Sequence, residues 1–299
     1  MVKNGDTTLF VKEGYREIVL NLPSSFESFH PKHKDDTQVK FGRGSCLTVP
    51  VTQNSAERLV IRNYRHGGLF GRLFGGVFSN INRPMNEICI NEIALQKGVP
   101  SAEVIAVTRR RLWGLFYRAS LVSKEITGAV DVVQFLKESP LRVIQKSKKP
   151  VISALAKLIR NMHDAGIYHA DLHLKNILLK KDSTGGFAAY VIDLDKSVVS
   201  DKLDIHLRIK NLSRLDRYLE KLRWLSGKAT SHEDDREESW SQKIATISRT
   251  DRIRFFKEYM LQDTAIDKNW KHCLRRYHTH HTLHKCWWRL FGLSGNFVK

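Results

Sequence analysis

Residues 168–179 read Y-H-A-D-L-H-L-K-N-I-L-L and, one turn later, residues 190–196 read Y-V-I-D-L-D-K. An Asp sits on a tight polar loop, an Asn follows five residues on, a short apolar strand comes next, and a second acid closes another apolar strand. The runs Ile177, Leu178, Leu179 and Val191, Ile192 predict a small buried hairpin, with Ser183, Thr184, Gly185 and Gly186 as its turn. Phosphoryl transfer needs divalent ions bridging phosphates, hard oxygen ligands to hold those ions, and one acid to orient the attacking hydroxyl. Asp171 is the candidate acid, and Asn176 and Asp193 are the candidate metal ligands. The competing reading is an ordinary polar hairpin that carries two acids and an Asn; the recurrence of several residue types at fixed offsets argues against it.

The loop resembles the H-R-D-x-x-x-x-N loop of protein kinases and the H-G-D-L-H-x-x-N loop of small-molecule kinases. Asp193, Leu194 and Asp195 resemble a D-F-G element whose final Gly has become Asp195. The likeness implies an α+β, two-lobed protein-kinase-like fold, with an N-terminal antiparallel sheet carrying one helix and a mainly helical C-terminal lobe. Its parts map to an N-terminal extension at 1–38, the N-lobe at 39–124, the C-lobe at 125–269 and a basic aromatic tail at 270–299.

Upstream, residues 39–49 read as strand, Gly-x-Gly bend and strand. Gly42 and Gly44 would let backbone amides approach phosphate oxygens of ATP, although the same pattern also makes plain hairpin bends. Residues 58–64 alternate as a strand should, and Arg62 stands where the V-A-I-K pattern of protein kinases has its phosphate-reaching Lys. An Arg is a planar fork where Lys is a point charge, so Arg62 is either that cation or a solvated strand end. Pro84 opens a helix in which Met85, Ile88, Cys89 and Ile93 recur at helical spacing, and Gly98 with Pro100 ends it. Glu87, with Glu92 second, is the candidate partner for Arg62. Further predicted elements are strands at 104–108 and 115–123 around a basic turn of Arg109, Arg110 and Arg111, a short helix at 131–137 and a basic loop at 146–149. Residues 17–20 could form an edge strand. Pro150 is expected to introduce an amphipathic helix with Val151, Ile152, Leu155, Leu158, Ile159 and Met162 on one stripe. Leu212, Leu215, Leu219 and Leu222 give another helix its buried stripe. No A-P-E segment follows Asp195, which argues against a peptide platform and for a small or lipid-linked acceptor.

Fifty Lys and Arg against 31 Asp and Glu give a net charge of +19 and a pI near 9.9, so a polyanionic partner is expected. A nucleic-acid role rests on that charge alone and lacks a recognition motif. Cys46, Cys89, Cys273 and Cys286 show no C-x-x-C spacing, which favours reduced thiols in a cytoplasmic protein. No apolar run approaches the roughly 20 residues of a membrane span. The tail from 270 to 299 has six Lys or Arg, five His, three Trp and no acid. It suits an interfacial membrane contact, a helix packed through Trp287 or Trp288, or, less well, a metal site built from His278, His280, His281, His284 and Cys286.

Several stretches together resemble one family: G-R-G at 42–44, V-I-R-N-Y-R-H-G-G from Val60, R-P-M-N-E from Arg83, L-F-Y-R-A-S-L-V from Leu115, the two opening motifs, and N-L-S-R-L-D-R from Asn211. It is the lipopolysaccharide kinase family, in particular the kinases of 3-deoxy-D-manno-octulosonic acid (Kdo), and heptose kinases of the same core share the scaffold. The resemblance implies ATP with Mg2+ and phosphoryl transfer to a Kdo or heptose hydroxyl of the lipid-linked, anionic inner core. It places the protein peripherally on the cytoplasmic face of the inner membrane, against an anionic surface and not on nucleic acid. By position, Asp171 is the base, Asn176 and Asp193 hold metal, and Arg62 with Glu87 positions phosphate. Lys175 either neutralises the transferring phosphoryl group or is a solvated loop cation. His169 reads as a structural hydrogen-bonding residue, and the role of His173 stays open. The alternative is a non-catalytic pseudokinase adaptor, supported by Arg62 in place of Lys and Asp195 in place of Gly.

Overall fold

Alternating apolar residues in the first half of the chain build strands, and the amphipathic stripes of the second half build helices. A computed structural model describes residues 1–20, 38–40, 46–51, 55–64, 76–79, 82–229 and 239–260, together with 275, 277 and 279. The chain divides into two units, Met1–Leu95 with Ala102–Thr127, and Gln96–Ser101 with Gly128–Lys299.

Among the described residues, the first unit is a seven-stranded antiparallel sheet and its helices. The strands are β1 (Val2–Asn4), β2 (Thr7–Val11), β3 (Gln38–Lys40), β4 (Cys46–Pro50), β5 (Arg58–Asn63), β6 (Val104–Arg111) and β7 (Tyr117–Lys124), in the order β1-β2-β6-β7-β5-β4-β3. Leu9, Leu47, Val49, Leu59, Ile61, Ile105 and Val122 alternate inward to form one buried cluster. Residues 2–11, read from sequence as part of an extension, supply the strands β1 and β2 beside β6. That occupies the sheet edge, and the run expected to be an edge strand is instead the short helix α1 (Arg16–Leu20), which buries Val19 and leaves Leu20 half exposed. The three arginines expected in a turn lie within β6, where Arg109, Arg110 and Arg111 pair with Ala119, Arg118 and Tyr117; the turn follows them and uses Gly114 at φ +53°.

The helix after Pro84 is α2 (Arg83–Gln96). Its buried face carries Pro84, Glu87, Ile90, Asn91 and Ala94, with Ile88 of the apolar repeat packed against the core beside them. Polar side chains take the inner face because each has partners there: Asn91 Nδ2 donates to the Ala102 carbonyl (2.9 Å), and its Oδ1 accepts from Val104 N–H (2.9 Å).

In the second unit, β8 (Val130–Asp131) leads into α3 (Val132–Glu138), whose N-terminus is capped by the Asp131 carboxylate on the Val133 and Gln134 amides. Next comes α4 (Leu141–Asp164), 24 residues long. The expected basic loop at 146–149 is part of this helix, and Pro150 sits inside it instead of opening it. Ile144 anchors the first turns in the core and Lys148 Nζ reaches Asp251 at 3.0 Å, which offsets the one backbone bond that the proline removes. Gly166 follows at φ +79°, and a Cβ there would lie 1.8 Å from the Ser200 carbonyl oxygen, so both backbone and space require glycine. The short strands β9 (Ile167–Tyr168), β10 (Ile177–Lys181), β11 (Phe187–Val191) and β12 (Val198–Val199) flank the two motif loops. The unit continues as α5 (Ile205–Ala229), α6 (Trp240–Ala245) and α7 (Arg249–Met260). Of the tail's side chains, Tyr277 is buried and its hydroxyl donates to Asp216. The acids Glu233, Asp234, Asp235, Glu237 and Glu238, read from sequence as an exposed loop or helix start within 230–242, lie outside the described residues, as do Trp287, Trp288 and the tail histidines.

Candidate active site

The β10–β11 register sets up the first two functional residues. Ile177 pairs with Val191, and Ile192 N–H donates to the Asn176 carbonyl (3.0 Å), so Asn176, just before one strand begins, lies across from the residues that follow the other, Asp193 among them. Asp193 adopts φ +63°, a left-handed conformation that costs a non-glycine residue energy and that clusters at functional sites. Asn176 is buried and its Nδ2 donates to the Asp171 carbonyl (2.9 Å), which leaves its amide oxygen as the acceptor. The two side chains thus offer oxygen donors alone, a set that fits Mg2+, an ion that takes its remaining ligands from water and substrate phosphate. Among the described residues there is no group of three or more His, Cys, Asp or Glu arranged to hold a metal without such help.

Asp171 is held from behind by its own loop. Its N–H donates to His169 Nδ1 (3.1 Å), so His169 carries its proton on Nε2 and donates that to the Ile192 carbonyl (3.1 Å). One imidazole therefore locks the loop of Asp171 to the strand end that precedes Asp193. Burial pushes the His169 pKa down and keeps the ring neutral, as this bonding pattern needs. The Asp171 carboxylate itself faces outward, its side chain 69 % exposed, with His173 Nε2 at 3.6 Å. That ring is the main cause holding the Asp171 carboxyl below its ordinary pKa, and it stacks on Tyr218 with centroids 4.9 Å apart and planes 19° apart. Lys175 is exposed and makes no ion pair among the described residues.

Behind the loop runs a chain of hydrogen bonds that sequence reading missed. Asn211 of α5 accepts from His169 N–H (3.2 Å) and donates to the His169 carbonyl (2.7 Å). Its Oδ1 also faces His163 Nε2 (3.1 Å), so that nitrogen is the donor, and His163 Nδ1 accepts from the Tyr259 hydroxyl (2.7 Å). All four side chains are buried, and burial pushes His163 down to about 3. The legible signal was an Asn at the edge of a Leu stripe, beside Leu212, where a polar residue needs a buried partner.

In the first unit, Arg62 Nη2 meets Glu87 Oε1 at 2.6 Å, and Glu87 is 3 % exposed. Tyr64 donates its hydroxyl to the other oxygen of the same carboxylate. Glu92, the second candidate, bonds Lys12 Nζ at 3.1 Å instead. Gly42 and Gly44 lie outside the described residues.

The model of the lipopolysaccharide kinase (Kdo/WaaP) family matches residues 42–246. The chain is 32% identical over 184 residues to the 3-deoxy-D-manno-octulosonic acid kinase of Vibrio cholerae, covering 60% of this chain and 72% of that one. It is also 32% identical over 185 residues to the same-named kinase of Photobacterium profundum, covering 59% and 70%. Among solved structures, WaaP in complex with acyl carrier protein aligns with a TM-score of 0.53 at 18% identity, over 92% of this chain and 98% of that one, which shows the kinase-like fold. The chain belongs to the lipopolysaccharide kinase (Kdo/WaaP) family.

Proposed function

We propose that this protein transfers the γ-phosphoryl group of ATP, with Mg2+, to a hydroxyl of a Kdo or heptose sugar in the lipopolysaccharide inner core. The observation that carries the reading is the locked loop, in which His169 and Asn176 immobilise the backbone of Asp171 while its carboxylate stays exposed and ionised. A carboxylate so placed can orient a sugar hydroxyl and accept its proton. Asn176 and Asp193 would hold Mg2+, which when bound neutralises phosphate charge. Arg62, aligned by Glu87, is the proposed phosphate-positioning cation, and exposed Lys175 is available to the transferring group. Among the described residues no helix is long and apolar enough to cross a membrane, and a charge of +19 suits peripheral contact with an anionic cytoplasmic face. The names of the relatives favour Kdo as the acceptor sugar.

The test is incubation of the full chain with ATP, Mg2+ and either Kdo-bearing lipid A precursor or heptosylated core, read by mass spectrometry. Addition of one phosphate to either acceptor is the expected result, and an untouched pair of acceptors overturns the proposal. A thermal-shift titration with ATP and Mg2+ then separates an inactive but nucleotide-binding protein from a pseudokinase that binds none, because a ligand of the native state raises the melting temperature.

A further inference from the structure

The corner between the catalytic loop and α5 holds two arginines that no carboxylate of the described residues meets in a salt bridge, the charge of Arg214 being felt by Asp171. Arg214, Arg217 and Tyr218 recur at i, i+3 and i+4, so they share one face of α5, and the stacking of Tyr218 on His173 puts that face against the loop of Asp171. Other arginines of the same unit are matched with acids: Arg208 with Asp164 (2.6 Å), Arg223 with Glu220 (3.0 Å) and Arg252 with Glu220 (3.1 Å). Among the described residues neither Arg214 nor Arg217 makes a salt bridge, although the charge of Arg214 helps hold the Asp171 carboxyl below its ordinary range. Burial, then the charge of Arg214, weakens proton binding by the Arg217 guanidinium, as two crowded cations should. Of the six buried side-chain polar atoms without a hydrogen-bond partner among the described residues, three gather here: Tyr168 Oη, His173 Nδ1 and Arg214 Nε. Unpartnered buried polar groups are uncommon and need a reason. Elsewhere in this unit, around Asn211, no buried polar atom lacks a partner.

We infer that Arg214 and Arg217 form the anion-binding subsite of the acceptor, gripping the carboxylate of a sugar acid while a hydroxyl of the same sugar is presented to Asp171. The inference rests on the sugar-kinase reading above and names the feature of the substrate that the site selects. Guanidinium forks match a planar carboxylate in two-bond geometry, and the ligand's charge offsets the repulsion between the two arginines. Phosphates of the lipid anchor offer similar chemistry, so the test must tell the two sources apart.

The experiment uses the full chain as wild type, Arg214→Gln, Arg217→Gln, the double variant and Arg214→Lys. Binding of free 3-deoxy-D-manno-octulosonate and of its methyl ester is measured by calorimetry, alongside turnover of Kdo-lipid A with and without its lipid phosphates. The expected result is wild-type binding of the acid at least tenfold tighter than of the ester, loss of that preference in the double variant, partial recovery with Lys, and a KM for ATP that does not move. Equal binding of acid and ester, or variants that keep the preference, overturns the subsite. Sensitivity to the lipid phosphates instead of the sugar carboxylate overturns it in favour of phosphate recognition. Acid binding without turnover of any acceptor upholds the subsite while removing the kinase reading.

A second surface is carried by an independent observation in the first unit. At the tip of the β6–β7 hairpin Trp113 is 64%, Leu115 83% and Phe116 40% exposed, and the Trp113 and Phe116 rings pack at 5.6 Å. Arg109, Arg110, Arg111 and Arg118 flank this tip, and residues 104–124 contain no acid. We propose that the tip inserts at the interface of an anionic bilayer, its aromatics at headgroup depth and its arginines on lipid phosphates. In vesicle flotation, wild type should rise with phosphatidylglycerol-containing vesicles at low salt and not with phosphatidylcholine alone, and Trp113→Ser/Leu115→Ser/Phe116→Ser should lose most of that binding. Flotation of the triple variant like wild type, absence of wild-type flotation, or binding only to protease-sensitive native membranes overturns the proposal, the last in favour of a protein partner.

Discussion

The two ends of one helix face differ in how their polar atoms are spent. At Asn211 the side chain serves His169 twice and His163 once, and Tyr259 closes the line, so each polar atom of a buried network has a partner. One turn further along α5, Arg214 and Arg217 stand beside the same loop with no salt bridge among the described residues, and Arg214 Nε is buried without a hydrogen-bond partner. A saturated network fixes geometry and has nothing left for a ligand, whereas an unsaturated one keeps its bonding capacity for something that arrives. Scaffold and recognition thus lie within a few residues of each other, and the census of hydrogen bonds tells them apart.

The sharpest way to break that distinction is at the exposed carboxylate. Asp171→Asn should lower turnover about 10³-fold while ATP affinity, read by thermal shift, stays near wild type; full activity would show that another group takes the proton. Next in size is the saturated side. Asn211→Ala leaves the amide and carbonyl of His169 and one nitrogen of His163 unpartnered, and should cost about 3 kcal/mol of stability in denaturant unfolding. A loss below about 1 kcal/mol would mean that the network is not what holds the loop.

Acid should act on the same network. His163 is held neutral at about 3 against an ordinary 6.5, so between those values the unfolded chain binds a proton that the folded chain refuses. Its contribution is complete above pH 6.5 and is lost as pH falls, amounting to about 2 kcal/mol at pH 5. His169 shifts in the same direction and adds to the loss. Melting temperatures measured from pH 7 down to pH 5 should fall, and a flat profile would contradict the buried neutral rings.

The smallest expected effects compare two glutamates of α2. Glu87→Gln removes the charge that aligns Arg62 and should raise the KM for ATP about tenfold. Glu92→Gln breaks a pair whose carboxylate is 41% exposed, and should cost less than about 1 kcal/mol with no change in ATP affinity. Equal effects of the two substitutions would remove Glu87 from the nucleotide side of the mechanism.

The opening motif was legible because its residues are close in sequence: Asn176 and Asp193 flank one hairpin whose register is set by alternation, and Asp171 stands on the loop that leads into it. The pairing of Arg62 with Glu87 followed from the pattern of strand and helix. Other expectations failed for local physical reasons. A single inward residue, Val19, was satisfied by a helical turn once residues 2–11 had taken the sheet edge. Pro150 did not stop a helix anchored at Ile144 and Lys148.

By itself the sequence picked out the oxygen-bearing side chains of the candidate site, since residues at fixed offsets around a hairpin need only local backbone geometry to converge. Tertiary structure decided what surrounds that chemistry. His163, His169, Asn211 and Tyr259 come from four separate stretches, and no periodicity links them. Only packing brings them within hydrogen-bonding distance, and only packing shows that Arg214 and Arg217 make no salt bridge among the described residues.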